Sequence, residues 1–303
     1  MSSLARGLKW GRHYVMVEPT HFRVDYAINP FMDPTVQPDP ARSLDQWWSL
    51  VGTLRDLGAR VDVLEQRPDS PDMVYAMNLG LALAGPGGAD ERQVVMSHMR
   101  HPERRAETGS AAAWFEAGGY RTTYVGRDGV GAHLEAGDAF AFGGDLVVGH
   151  GPRTEELALK HLATELGVRV RGLRITHPGM YHLDLAFCPL DERRALVCPD
   201  ALDAASAAAL LELVPEPLVL TEEEALTTFC ANSVVVGSTV VMPACPARVR
   251  ARLEEWGFEV VLVDVSEFHL GGGSIRCLTN PVDVTLGRDL VVRAPEVVLP
   301  PTR

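Results

Sequence analysis

Hydrophobic positions along this chain switch between two periods, and the switch falls at one kind of residue. In LRDLGARVDVLE, WFEAGGYRTTYVG, LATELGVRVRGLRI and RLEEWGFEVVLVDV, an apolar stripe of helical spacing stops at a glycine. A β-branched run follows each time. Glycine suits this place because it takes the left-handed backbone beyond the last helical turn without a Cβ penalty. The four glycines are Gly58, Gly119, Gly167 and Gly257, and ALLELVPEPLVL has the same shape with Pro215 at the break. They recur at steps of roughly 61, 48, 48 and 42 residues, a loose period of repeated units.

The other side of each helix repeats as well. HYVMVEPTHF, RQVVMSHMRHPERR, DLVVGHGPRTEEL, RALVCPDALDAAS and STVVMPACPARVR each run from a short strand through a polar or proline-marked turn into a helix. Extra strands lie between the units in GLALAG, DAFAFGGDLVVG, HLDLAFCPLDERRALVC and NSVVVGSTVVM, where GG and VG suit hairpin turns. A doubly wound parallel sheet fits poorly, because no strand leads into GxGxxG or a P-loop and the hairpins bring antiparallel pairs. Five α/β units set radially account better for the recurrence. Nothing reads as an inter-domain linker, so residues 1–303 are expected to form one domain. The stretch NPFMDPTVQPDPARS reads as a surface loop that could cover a site. Trp47 and Trp48 read as helix packing.

Composition narrows the partners. The 303 residues are 46% apolar and 22% charged, with a net charge of −12. An acidic chain repels phosphate backbones, so nucleic acid is not expected. There is no apolar run long enough to cross a bilayer and no apolar core in MSSLARGLKWGRHYV to make it a secretory leader. A cytoplasmic protein with no membrane partner is expected. Five cysteines at scattered positions form neither a disulfide framework nor a CxxC site. His98 and His101 have an HxxH spacing but sit among charges at a strand exit, which reads as a solvated turn rather than a metal site.

In a radial array the inner strand ends converge. YAMNLGLAL, HLEAGDAFAF, YHLDLAFCPL, CANSVVVGS and GSIRCLTNP each put one polar or reactive residue at the start of an apolar run: Asn78, Glu135, His182, Asn232 and Cys277. Asp138 and Asp184 follow closely in two of them. Each residue alone has a plain structural reading, such as a turn former or a strand-end charge; Asp138, for one, could simply organise the EAGD turn. Together they supply a nucleophile, a proton carrier and holders for a cation. A thiol becomes reactive near neutral pH when positive charge lowers its pKa, and histidine can give and then take a proton. Carboxylates only accept hydrogen bonds, so several facing inward suit a forked, permanently charged guanidinium.

These motifs resemble the guanidino-group-modifying enzymes of the pentein superfamily: arginine deiminases, dimethylarginine dimethylaminohydrolases, arginine dihydrolases and amidinotransferases. PDMVYAMN, HPERRAET, LEAGDAF, GPRT, YHLDLAF and GGGSIRCLTNP occur in family order and span nearly the whole chain. The resemblance implies an α/β fold, a five-bladed α/β propeller of ββαβ units with pseudo-five-fold symmetry, and catalysis without a cofactor or metal. It implies Cys277 as the nucleophile on the guanidinium carbon and His182 as the acid and then the base. Glu135 and Asp184 would bind guanidinium nitrogens, with Glu135 also orienting the site. Arg153 and Arg104 would hold a substrate carboxylate, with the register between Arg104 and Arg105 open. Asn78 stands where many deiminases and dimethylargininases carry aspartate. Asn78 and Asn29, in YAINPFM, match the arginine dihydrolase branch, which releases ornithine, ammonia and carbon dioxide. No fused cyclodeaminase domain is expected after GGGSIRCLTNP.

The expected activity is therefore a cysteine hydrolase on arginine or a derivative, of dihydrolase or deiminase type. A dimethylarginine dimethylaminohydrolase and an amidinotransferase use the same residues and remain alternatives. A non-catalytic pentein binding module would lack the Cys, His and carboxylate set.

Overall fold

A computed structural model of the chain describes residues 7–85 and 88–287. The beginning of the stretch assessed above as a leader, residues 1–6, and the end of the expected domain, residues 288–303, lie outside the described residues.

The repeat predicted from periodicity is present as five three-stranded sheets. Four follow the chain: β3 (Gly80–Gly85), β4 (Gly88–Met96) and β5 (Arg121–Tyr124); β8 (Ala139–Phe142), β9 (Asp145–His150) and β10 (Val170–Arg174); β11 (Phe187–Pro189), β12 (Arg194–Val197) and β13 (Glu216–Val219); β14 (Val234–Val236), β15 (Thr239–Met242) and β16 (Glu259–Leu262). The fifth joins both ends of the chain: β17 (Asn280–Pro281) pairs with β1 (His13–Val17), and β1 with β2 (Arg60–Leu64). A small hairpin, β6 (Gly126–Arg127) and β7 (Val130–Gly131), stands apart. In every three-stranded sheet the first pair is antiparallel and the second parallel.

Each parallel pair needs a crossover, and a helix supplies it. These are α1 (Pro40–Asp56), α2 (Arg105–Ala117), α3 (Glu156–Leu166), α4 (Ala204–Leu213) and, after the short α5 (Glu222–Thr228), α6 (Ala247–Glu255). The predicted glycine stops are real: Gly58, Gly119, Gly167 and Gly257 all have φ between 62° and 87°. Gly143 and Gly144, at φ 59° and 85°, make the tight turn between β8 and β9. Trp47, Leu50, Val51 and Leu54 bury one face of α1.

Two local expectations change. The proline-rich loop ends at Asp39, whose carboxylate accepts the Arg42 N–H and caps α1, so Ala41, Arg42 and Ser43 are helical. Trp48 is not packing inside: it is 42% exposed and its indole N–H reaches Glu18, while Trp47 is fully buried. No described helix is long and apolar enough to cross a membrane.

Candidate active site

The five residues picked from the strand starts occupy one structural position. Asn78 lies in the 3-10 turn Ala76–Leu79 just before β3, and Glu135 and His182 cap the turns Ala136–Asp138 and Leu183–Leu185 before β8 and β11. Asn232 precedes β14, and Cys277 lies in the four-residue helix α8 (Ile275–Leu278) before β17. The turns bring them together: Asn78, His182 and Cys277 line one narrow cavity.

Cys277 is 3% exposed, and Asn232 holds it at two atoms. The Asn232 side-chain oxygen accepts the Cys277 N–H at 3.1 Å and its amide N–H donates to Sγ at 3.1 Å. The thiol itself donates to Asp184 Oδ2 at 3.3 Å, while Asp184 Oδ1 is buried without a partner. Burial and the Asp184 charge push the Cys277 thiol well up, against the Ser274 backbone and Asn232. Burial also raises the Asp184 carboxyl, against His182 and Cys277. The site therefore holds a protonated thiol beside a carboxyl oxygen that lacks a donor.

His182 meets Glu135 through Nε2 and Oε2 at 2.8 Å. A carboxylate only accepts, so Nε2 carries the hydrogen and Nδ1 is the atom left to exchange protons. Glu135 accepts twice more, from Arg153 Nη1 at 3.1 Å and from the Arg100 N–H at 2.9 Å. Burial opposes the Glu135 charge, but Arg153 and His182 outweigh it and hold the carboxyl well below the usual range. These three donors hold the Glu135 carboxylate in place against His182. Gly137 explains the fit of the parts: a Cβ there would lie 2.8 Å from Asn78 Oδ1, 3.2 Å from Asp184 Oδ2 and 3.3 Å from His182 Nδ1.

The far end of the cavity carries charge. Arg104 lines it, clamped by Glu107 at 2.8 and 2.9 Å and donating to the Asp72 carbonyl. Arg105 turns away to the Met99 and Arg100 carbonyls. Arg153 also lines the cavity, with its guanidinium 4.6 Å from the Tyr181 ring centre. Asn29 donates to the Gly271 carbonyl at 3.0 Å and lines the same wall.

Three residues were not singled out in the sequence. Asp72 lines the cavity with Oδ1 buried and unpartnered, its carboxyl raised by burial against the Arg104 charge. Tyr75 and Tyr181 each donate at 2.7 Å to the segment ahead of Cys277, to the Phe268 and Gly272 carbonyls. Their signal was present, since all three stand inside quoted motifs, PDMVYAMN and YHLDLAF. Phenols inside apolar runs read as core.

The HxxH histidines do not pair on a ligand. His98 Nδ1 contacts the Ala132 carbonyl and Nε2 accepts the Gly129 N–H. Among the described residues, no group of three or more His, Cys, Asp or Glu could hold a metal ion.

The arrangement sets a buried thiol and a histidine at one cavity, on an α/β fold built of repeated units. A sequence model of the eukaryotic N,N-dimethylarginine dimethylhydrolases matches residues 18–284. A dimethylarginine dimethylaminohydrolase of Mycobacterium tuberculosis is 36% identical over 92% of this chain and 88% of its own. The bifunctional arginine dihydrolase/ornithine cyclodeaminase of Synechocystis is 33% identical over 88% of this chain, which spans only 37% of that longer protein. The substrate-bound N-terminal domain of a cyanobacterial arginine dihydrolase superposes with a TM-score of 0.84 at 32% identity, covering 90% of this chain and 99% of that domain. The chain belongs to the dimethylarginine dimethylaminohydrolase family, in the branch of the pentein superfamily it shares with the arginine dihydrolases.

Proposed function

We propose that this protein hydrolyses the guanidino C–N bonds of arginine, as an arginine dihydrolase. The observation that carries the reading is that Cys277 and His182 line one cavity, with Cys277 held by Asn232 beside a half-satisfied Asp184 and His182 paired with Glu135 behind it. A guanidinium N–H fits Asp184 Oδ1, and Asn78 offers amide donor and acceptor to the rest of the group. Arg104 and Arg153 suit the carboxylate of an amino acid and Asp72 its ammonium. The five sheets, each sending its leading turn to this site, are read as blades of a five-bladed α/β propeller with pseudo-five-fold symmetry, in one domain. Five free thiols suit a reducing, cytoplasmic setting.

In this mechanism the Cys277 thiolate bonds to the guanidinium carbon. His182 passes a proton to one terminal nitrogen, which leaves as ammonia, and an amidino group stays on sulfur. Water then gives a proton to His182 and bonds to the same carbon, and the C–S bond breaks to release citrulline. A second round on citrulline consumes one more water and yields ornithine, ammonia and carbon dioxide. The bound cation favours the thiolate, which offsets the raised resting pKa.

A single-step dimethylargininase is the second reading, favoured by the 36% identity to the mycobacterial enzyme. Asn78 favours the first: it leaves the site one negative charge short of a dimethylargininase that carries aspartate here. Mass spectrometry of products from arginine and from N,N-dimethylarginine tests the assignment. Ornithine from arginine is expected. Citrulline and dimethylamine from the methylated substrate, with arginine untouched, would replace this reading with the second.

A further inference from the structure

One buried carboxyl in the site has no part in the chemistry above. Asp138 is wholly buried. Its Oδ1 accepts the N–H of Leu183, the peptide directly after His182, at 2.9 Å. Its own N–H donates to the Glu135 carbonyl at 3.0 Å, so it closes the turn that presents Glu135. Its Oδ2 accepts no hydrogen bond of normal geometry, with the Thr154 hydroxyl the nearby donor. The space is tight: a Cβ at Gly149 would stand 2.9 Å from Asp138 Oδ1. A carboxyl used only to close a turn would sit more cheaply as asparagine or serine, because a buried charge with an unused oxygen costs free energy.

We propose that Asp138 is a positioning residue for His182: it fixes the peptide that follows the histidine and adds its carboxylate to those of Glu135 and Asp184 around the imidazole. This rests on His182 being the proton carrier. During the cycle His182 is an imidazolium, and a preorganised negative charge near it favours that form, as Glu135 does through Nε2. The titratable and charged groups around Asp138 and His182 are Glu135 on the Asp138 turn, Asp184 two residues after His182 and, beyond Glu135, Arg153. Burial pushes the Asp138 carboxyl up to about 6, offset in part by His182, the Thr154 hydroxyl and the Leu183 amide. Asp138 thus serves in its ionised form, and the rate falls as pH drops through about 6.

Asp138→Asn is the test, because the amide keeps an acceptor for Leu183 and removes only the charge. The variant is expected to lose about 10-fold in kcat with KM within about twofold. It should also lack the acid limb near pH 6, being uncharged throughout. A D138N enzyme with wild-type kcat and an unchanged limb overturns the proposal. Asp138→Ser, smaller than the residue it replaces, carries the same expectation should D138N misfold. A second readout needs no turnover. In histidine-labelled protein, the His182 ring signal, assigned by its loss in H182N, should report a step near pH 6 that D138N abolishes. If the step is the same in both proteins, Asp138 does not act on His182. If the step depends on Asp138 but the wild type releases no product from any guanidino compound, the proposal holds and the hydrolase reading fails.

Discussion

Cys188 and Cys277 are both buried thiols, and the contrast between them lies in what sets the proposed nucleophile apart from a core cysteine. Cys188 lies in β11 and points Sγ only at backbone acceptors, the Ser233 carbonyl at 3.4 Å and the Pro189 carbonyl at 3.8 Å. Burial pushes its thiol up to about 12, against the Arg276 charge. The Cys277 thiol is also raised by burial, so resting acidity does not separate the two. The difference lies in what surrounds the sulfur. Cys277 receives a donor from Asn232, which a thiolate would strengthen, and it opens on a cavity beside Asp184 Oδ1. In the proposed function that cavity takes the guanidinium cation.

The largest expected effect breaks or upholds that contrast directly. Cys277→Ser should lower turnover by about 10³-fold or more, since a hydroxyl is far harder to ionise than a thiol. Cys188→Ser should leave kcat within about twofold and cost about 1 kcal/mol or more of stability through a buried hydroxyl. Product release and melting curves measure both. Equal loss of activity in the two variants would show that the donor and the cavity are not what distinguishes them.

Two glycines sharpen the comparison further. At Gly273 a Cβ would fall 2.3 Å from Tyr75 Cε1 and 3.0 Å from the Cys277 Cβ. The tyrosine ring is held by its bond to the Phe268 carbonyl, so the backbone ahead of Cys277 must move instead. Gly273→Ala should cost about 100-fold in kcat/KM, the scale of a misplaced reacting group. At Gly167 a Cβ meets nothing within 4 Å, and only φ of 62° resists it. Gly167→Ala should cost about 1 kcal/mol of stability and no activity. Normal kcat/KM in G273A would mean that the close approach to Tyr75 does not set the position of the thiol.

Gly167 and Gly273 also mark how far the sequence could be read. Gly167 ends a helix by a local rule, and local rules gave the helices, the hairpins and the five equivalent turns. The matched position of Asn78, Glu135, His182, Asn232 and Cys277 was legible because every unit repeats one order of elements. What each side chain touches was not legible. That Glu135 spends both oxygens on His182, Arg153 and Arg100 depends on three segments meeting in space. Tyr75 and Tyr181 looked like core because their hydroxyls face inward to partners far along the chain. Tyr75 bonds a carbonyl 193 residues away.

The smallest expected effect concerns how the Cys277 side of the contrast responds to acid. His269 ends α7 (Ser266–His269), two residues before the three glycines. Its ring stacks on Phe229 with centroids 4.4 Å apart, and Nε2 meets Ser274 Oγ at 3.2 Å. Burial lowers its pKa to about 4, only partly opposed by Asp264. The unfolded chain therefore binds a proton here between about 6.5 and about 4 that the folded chain does not. Stability from this group is full above about 6.5 and is lost as pH falls toward about 4, about 3 kcal/mol in all. Cys188 has no such neighbour in contact with its sulfur. Acid should then loosen the Phe268–Ser274 segment before the β11–β12 hairpin, read by hydrogen exchange at pH 7 and pH 4.5. His269→Phe keeps the stack and removes the titration, so its stability should fall less between those two pH values, by about 2 kcal/mol. An identical fall in both proteins would mean that the acid sensitivity of the nucleophile's segment lies in another group.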